Sequence, residues 1–140
     1  MGSTIDLHIH TNASDGTDSP ENLLWEIQKA GIKIFAITDH DTIKGAMKMK
    51  KILPAGMRFI QGIEFSCRTQ GGHKCHILGL NYDENNLDFQ AALRAGRIRQ
   101  AVLGSRGKAV GAGRSGGSAQ AYGQGGDSGT RQQVVLHVGD

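Results

Sequence analysis

Ile5, Leu7 and Ile9 alternate with Asp6, His8 and His10 near the start of the chain, and this period of two narrows the possible folds most. It marks a strand with one buried face. Ser19-Pro20-Glu21-Asn22 reads as a helix start, with Ser19 as cap, Pro20 at the first helical position and an acid in the first turn. Leu23, Leu24, Ile27 and Ala30 give an apolar stripe that Gly31 ends, so a helix is predicted over residues 20–30. The continuous apolar run Ile34-Phe35-Ala36-Ile37-Thr38 suits a strand covered on both faces, as in parallel sheets with crossover helices. A second helix is predicted over 43–53, stopped by Pro54, with Lys44, Lys48, Lys50 and Lys51 as a solvated face rather than a phosphate site. Residues 58–65 and 74–80 supply two more strands, separated by a Gly71-Gly72 turn. The order strand, helix, strand, helix, strand, strand signals the α/β class.

At 140 residues, one domain is the ceiling. Charge divides it unevenly. Through Gln90 there are 11 acids against 9 bases, and beyond it 7 bases against 2 acids, so the formal net charge of +3 describes neither part. Eleven of the 21 glycines lie between Gly104 and Gly139. The expected organisation is an α/β metal-binding region over 1–86, a helical segment within 87–103 interrupted by Gly96, and a Gly/Arg-rich tail over 104–140. Residues 104–130 carry too little apolar surface to offset chain entropy and are expected to be disordered, with a short strand at 134–138. No window approaches the ~18 apolar residues of a membrane span, and no secretory leader is legible, so a cytoplasmic protein without a membrane partner is expected. Cys67 and Cys75 read as reduced, partly buried thiols.

His8 and His10 leave a strand on one face near its carboxyl end, where two imidazoles can reach one metal ion. Asp15 follows in a polar loop able to fold back over that end. The chemistry recurs after the next strand in Thr38-Asp39-His40-Asp41, where open α/β sheets and barrels place their active sites. Asp39 and Asp41 are read as orienting the His40 ring or, for Asp41 or Thr42, as capping the following helix. The third strand carries Glu64 and the fourth His76, while His73 is read as an exposed turn residue. Histidines and carboxylates at the rim of four successive strands are economically explained by a metal cluster, and mixed imidazole and carboxylate donors suit Zn, Mn or Fe. Arg68 is a candidate phosphate contact.

The ordered set Asp6-Leu7-His8-Ile9-His10, Thr38-Asp39-His40-Asp41, Gly62-Ile63-Glu64 and His76-Ile77-Leu78-Gly79-Leu80 resembles the successive motifs of the PHP (polymerase and histidinol phosphatase) phosphoesterases. Asn12-Ala13-Ser14-Asp15-Gly16 and Ser19-Pro20 are similar to the stand-alone members, which act on nucleoside phosphates and short oligonucleotides. The resemblance spans residues 4–83. It implies a distorted seven-stranded β/α barrel, of which four strands are legible here, with two or three divalent metals at the carboxyl rim. By position it implies one metal on His8, His10 and Glu64, a second shared by Glu64 and His76, and a third on Asp15 and His40. Asp15, His40 and Glu64 would then carry the catalysis. The family's further histidine and final Asp-x-His are not found; His137-Val138-Gly139 superficially resembles the surroundings of that later histidine.

Three functions are therefore weighed. The first is hydrolysis of a phosphorylated small molecule or short oligonucleotide by a metal-activated hydroxide. The second is a truncated or frameshifted fragment that binds metal without catalysis. The third is a nucleic-acid-binding module built on Arg94, Arg97, Arg99, Arg106 and Arg114, but the tail lacks interleaved aromatics and a stable nucleic-acid partner is not expected. Nothing in the sequence sets the oligomeric state.

Overall fold

The computed structural model describes residues 4–68 and 72–95, together with the backbone of four short strands further on. Its contacts divide the chain into two units, residues 1–63 and 64–140, with the division inside a strand.

In the first unit, β1 (Ile5–Ile9), β2 (Ile34–Ile37) and the start of β3 (Arg58–Arg68) lie side by side. Both pairings are parallel, with Ile5 opposite Ile34 and Phe35 opposite Phe59. Parallel neighbours need crossovers, supplied by α1 (Pro20–Lys29) and α2 (Lys44–Ile52). Both helices begin and end within a residue or so of their predicted limits. Ser19 Oγ accepts the Asn22 N–H at 3.3 Å. At the other end of α1, Gly31 takes φ +74° and donates to the Gln28 carbonyl at 3.0 Å, while Ile32 donates to that of Ile27 at 3.1 Å. This left-handed cap is open to glycine at least cost. The start of α2 differs from expectation, because its N-cap is Ile43, which makes no side-chain cap. Thr42 Oγ1 accepts the Lys44 N–H at 3.2 Å, and Asp41 sits at φ 57°.

The core of this unit is Ile27, Phe35, Ile37, Ala46 and Met49, with Ile9, Leu23, Leu24 and Phe59 packed around it. The four lysines of α2 are exposed, and Lys48 Nζ meets Glu21 Oε1 at 2.8 Å. That bond holds the Glu21 carboxyl below its ordinary value.

In the second unit β3 runs on to Arg68, three residues past its predicted end, and is followed in the sheet by β4 (Lys74–Leu80). A connection this short permits only an antiparallel return. The helix α3 (Leu87–Arg94) is capped by Asn86, whose Oδ1 accepts the Phe89 N–H at 2.9 Å. Phe89 stacks on Tyr82 with centroids 4.3 Å apart and stands 6.0 Å from Phe65. Burial, with Glu84 adding, pushes the Tyr82 phenol up. Cys67 and Cys75 are buried, and burial raises the Cys75 thiol.

Four further strands are β5 (Val102–Leu103), β6 (Ala109–Val110), β7 (Gln120–Tyr122) and β8 (Gln133–His137). β8 pairs in parallel with β4, placing His137 opposite Leu80, and β7 pairs antiparallel with β8. β6 and β7 thus fall within the segment expected to be disordered, the remainder of which lies outside the described residues. Arg97, Arg99, Arg106 and Arg114 lie outside them as well. Among the described residues no helix is long and apolar enough to cross a membrane.

Phe35 and Trp25 separate core from surface. Replacing Phe35, fully buried, by alanine should cost about 3–5 kcal/mol in urea denaturation. Trp25 is 58% exposed, with Lys29 Nζ 4.4 Å from its ring, and Trp25→Ala should change stability by no more than about 0.5 kcal/mol.

Candidate metal site

The exits of β1 and β2 are tied together by backbone and side chain. Thr38 donates its N–H to the Ile9 carbonyl at 2.7 Å and its hydroxyl to the same oxygen at 3.3 Å. His10, next after Ile9, and His40, two residues after Thr38, meet there, their rings edge to face with centroids 4.6 Å apart. His8 stands 5.1 Å from His10.

The pairing of β1 with β2 shifts between Asp6 and Ile9, an irregularity that the alternating sequence does not announce. Asp6 Oδ1 accepts the His8 N–H there at 3.1 Å, taking up a backbone donor at the shift. Such irregularities re-aim side chains and are frequent beside active sites. Asp6 was the polar residue of an alternating pair in the sequence, and its only legible signal was an acid two positions before a histidine.

Asp15 arrives from the loop after β1. The loop returns on itself through Asn12 N–H to Asp18 O at 2.8 Å and Ser14 and Gly16 N–H to Thr11 O at 3.1 and 3.0 Å. What anchors it is Asp39. This buried carboxylate accepts the Thr11 N–H and hydroxyl, both at 2.7 Å, and the Ser14 hydroxyl at 2.8 Å. Asp39 therefore faces the β1 loop and not the His40 ring, correcting the orienting role read from its position beside His40. A buried carboxylate needs such donors, and the loop is where they are.

The outcome is a compact triad. His10 Nδ1 lies 2.6 Å from Asp15 Oδ1, and His40 Nε2 lies 3.4 Å from Asp15 Oδ2. One ligand atom from each of the three residues lies within 4.8 Å of the others. Two imidazoles and a carboxylate are a donor set suited to Zn, Mn or Fe, so the residues fit a divalent cation of this kind. The hydrogen bond to His10 holds the Asp15 carboxyl below its ordinary value, with the charges of both histidines adding, although its side chain is 65% exposed.

In the second unit Glu64 and His76 are brought together across β3 and β4, His76 Nδ1 lying 3.0 Å from Glu64 Oε1. Glu64 is only 2% exposed. Arg68 lies four residues beyond Glu64 on the same strand and donates from Nη1 to the Gly72 carbonyl at 3.0 Å. His73 is exposed.

The PHP domain family model matches residues 6–96. The chain belongs to the PHP domain family. Among its relatives, a 5'-3' exoribonuclease of Haemophilus influenzae is 35% identical over 68% of this chain and 35% of its own length. A 3',5'-nucleoside bisphosphate phosphatase of Chromobacterium violaceum is 34% identical over 69% of this chain and 35% of its own. The chain thus spans about a third of the length of these curated relatives. The solved structure of an amidohydrolase from Chromobacterium violaceum, with bound sulfate and no metal, superposes with a TM-score of 0.60 at 31% identity, over 66% of this chain and 33% of that one. The matched PHP segment contains the six candidate metal ligands His8, His10, Asp15, His40, Glu64 and His76.

Two outcomes test the geometry. The Asp15 carboxyl should titrate by NMR below 3.8 in the metal-free chain, and His10→Ala should return it toward that value. The sign follows from the lowered value: the pair stabilises the fold above the ordinary carboxylate range and ceases to do so as pH falls through the Asp15 value. Gly45 sits in the first turn of α2, where a Cβ would run into Asp39 Oδ2 and lie 2.5 Å from Thr11 Oγ1. Gly45→Ala should therefore destabilise by about 1–3 kcal/mol in denaturant melts, although alanine in an open helix position gains up to ~1 kcal/mol.

Proposed function

We propose that this chain is a metal-dependent phosphoesterase whose substrate is a nucleoside phosphate or short oligonucleotide. The observation that carries the reading is the His10, Asp15 and His40 triad at the carboxyl ends of two parallel strands, inside the segment that matches the PHP family. The names of the relatives, an exoribonuclease and a bisphosphate phosphatase, support the phosphate ester class and the nucleotide character of the substrate.

In this reading His10, Asp15 and His40 hold one divalent cation, and His8, Glu64 and His76 are further ligands, for two or three ions in all. Manganese, zinc and iron match the donor chemistry. Bound cations would supply positive charge for the phosphoryl oxygens and acidify a water nucleophile, which hydrolysis of so inert an ester requires. The protein's own part is positional. Thr38 fixes the spacing of the two strand exits, and Asp39 fixes the loop so that the Asp15 carboxylate bridges both imidazoles. Asp15, His40 and Glu64 are the residues assigned to catalysis, with Arg68 as a contact for substrate phosphate. A cytoplasmic location is part of the same proposal.

Elemental analysis of the purified chain, followed by turnover of a phenyl phosphate ester with added manganese, tests the reading. Bound metal is expected, together with turnover that His40→Ala lowers by about 10²-fold or more while the far-ultraviolet spectrum stays unchanged. Absence of metal after reconstitution would overturn the reading. Full metal occupancy without turnover would leave metal binding alone as the activity of this stretch of chain.

A further inference from the structure

Cys67 and Cys75 are the two cysteines of the sequence, and one hairpin carries both. β3 ends at Arg68 and β4 begins at Lys74, so these two residues close the ladder between the strands. Counting inward from them in an antiparallel pair sets Cys67 opposite Cys75 and Ser66 opposite His76. Glu64 then stands one diagonal step from His76, a spacing that long side chains bridge, and their bond of 3.0 Å is made at this register. Neighbours along a strand alternate, so both cysteines fall on the face opposite Glu64 and His76. That face carries Phe65, which meets Phe89 of α3, and both sulfurs are buried thiols.

Directly opposed residues of antiparallel strands have Cα atoms about 4.5–5.5 Å apart, inside the roughly 4.4–6.8 Å that a disulfide spans. Joining the two sulfurs therefore needs no rearrangement of the strands. Access to them differs. Cys67, together with Ser66, Arg68 and Lys74, lines a depression of about 230 Å³, and Cys75 is not among its lining residues. This is smaller than the roughly 300–1,000 Å³ of sites that enclose a whole drug-sized ligand, and it admits one end of a small molecule. The guanidinium and ammonium beside Cys67 favour a reagent that carries carboxylates.

We propose that Cys67 and Cys75 form a reversible cross-strand disulfide by exchange with a small, carboxylate-bearing disulfide of the glutathione class. The Cys67 sulfur bonds to one sulfur of the reagent, breaking its S–S bond and expelling a first small thiol. The Cys75 sulfur then bonds to that of Cys67, breaking the mixed disulfide and expelling a second small thiol. The two cysteine protons leave on the two released thiols, the cysteines are oxidised by two electrons, and the reagent is reduced by two. Excess small thiol reverses both steps. The closed bond pins β3 to β4 one residue from His76 and three from Glu64, so the redox state of the surroundings is read at the hairpin that bears both candidate ligands. It requires no bound metal and stands apart from the phosphoesterase reading.

The reduced full chain would be equilibrated with reduced and oxidised glutathione in varied ratio, quenched with acid, alkylated, digested with trypsin and weighed by mass spectrometry. Trypsin cuts after Arg68 and Lys74, so the two cysteines leave on separate peptides unless a disulfide joins them. Joined peptides from a single chain, separated again by excess reduced glutathione, are the expected result. The folded chain should favour the closed form about tenfold over the same chain in urea, because the fold holds the sulfurs opposed. Cys75→Ser should stop at a glutathione adduct on Cys67, and Cys67→Ser should leave Cys75 a thiol. Amide exchange over residues 64–68 and 74–78 should slow in the closed form. Disulfides between chains, equal closure with and without urea, or unchanged amide exchange would each overturn the proposal. So would an adduct on Cys75 in Cys67→Ser that forms as fast as the one on Cys67 in Cys75→Ser. If a buried serine costs either variant its fold, the wild-type comparison with urea decides on its own.

Discussion

The buried carboxylate of Asp39 is the constraint on which the metal site depends. Removing a carboxylate from water costs several kcal/mol unless donors replace the lost solvent, and here the donors are the Thr11 amide, the Thr11 hydroxyl and the Ser14 hydroxyl. All three belong to the loop that leaves β1. Satisfying Asp39 therefore forces that loop back over the ends of β1 and β2, and the residue after Ser14 is Asp15. The same carboxylate lies against the first turn of α2, where Gly45 leaves it room. One acid next to His40 thus joins a strand exit, a helix start and a loop, and the exposed ligand is placed by the buried one.

Much of this fold was legible because local signals and burial agreed. The alternation of Ile5, Leu7 and Ile9, the Ser19-Pro20 start and the Gly31 stop each have a short-range physical cause, and each lies where that cause requires. His10, Asp15 and His40 were each legible as candidate ligands, but the sequence grouped His10 with His8 and Glu64 and only Asp15 with His40, so the meeting of all three was not. Nor was its mechanism. A carboxylate flanking a histidine looks the same in sequence whether it faces the ring or turns to a loop 28 residues earlier, and only the hydrogen-bond partners of Asp39 separate the two. The register shift in β1 was hidden for a similar reason: side-chain alternation reports which residues are apolar, whereas the shift belongs to the pairing with β2.

The limit of β3 shows a different blind spot. The predicted strand ends at Phe65, with the turn placed at Gly71-Gly72. The strand nevertheless continues to Arg68, since a strand is held by its partner's backbone as much as by its own side chains. The two short strands within 104–130 illustrate the same point more strongly, because composition there is poor in apolar residues and the ladder partners supply what propensity does not.

The extension of β3 also decides which side chains share a surface. Phe65 and Cys67 pack toward the side where Phe89 and Tyr82 stack, and that apolar face fixes the rotation of the strand. A slip of one residue in the pairing of β3 with β4 would send Phe65 into the polar face and Glu64 into the aromatic one, at the cost of both the packing and a buried charge. The register is therefore held by residues with no part in the chemistry. Because side chains alternate strictly, fixing Phe65 and Cys67 on one face commits Glu64, Ser66 and Arg68 to the other. The row of hydroxyl, guanidinium and carboxylate is thus a geometric consequence of the core on the reverse side, which lets its polar members change without disturbing what holds the strand in place.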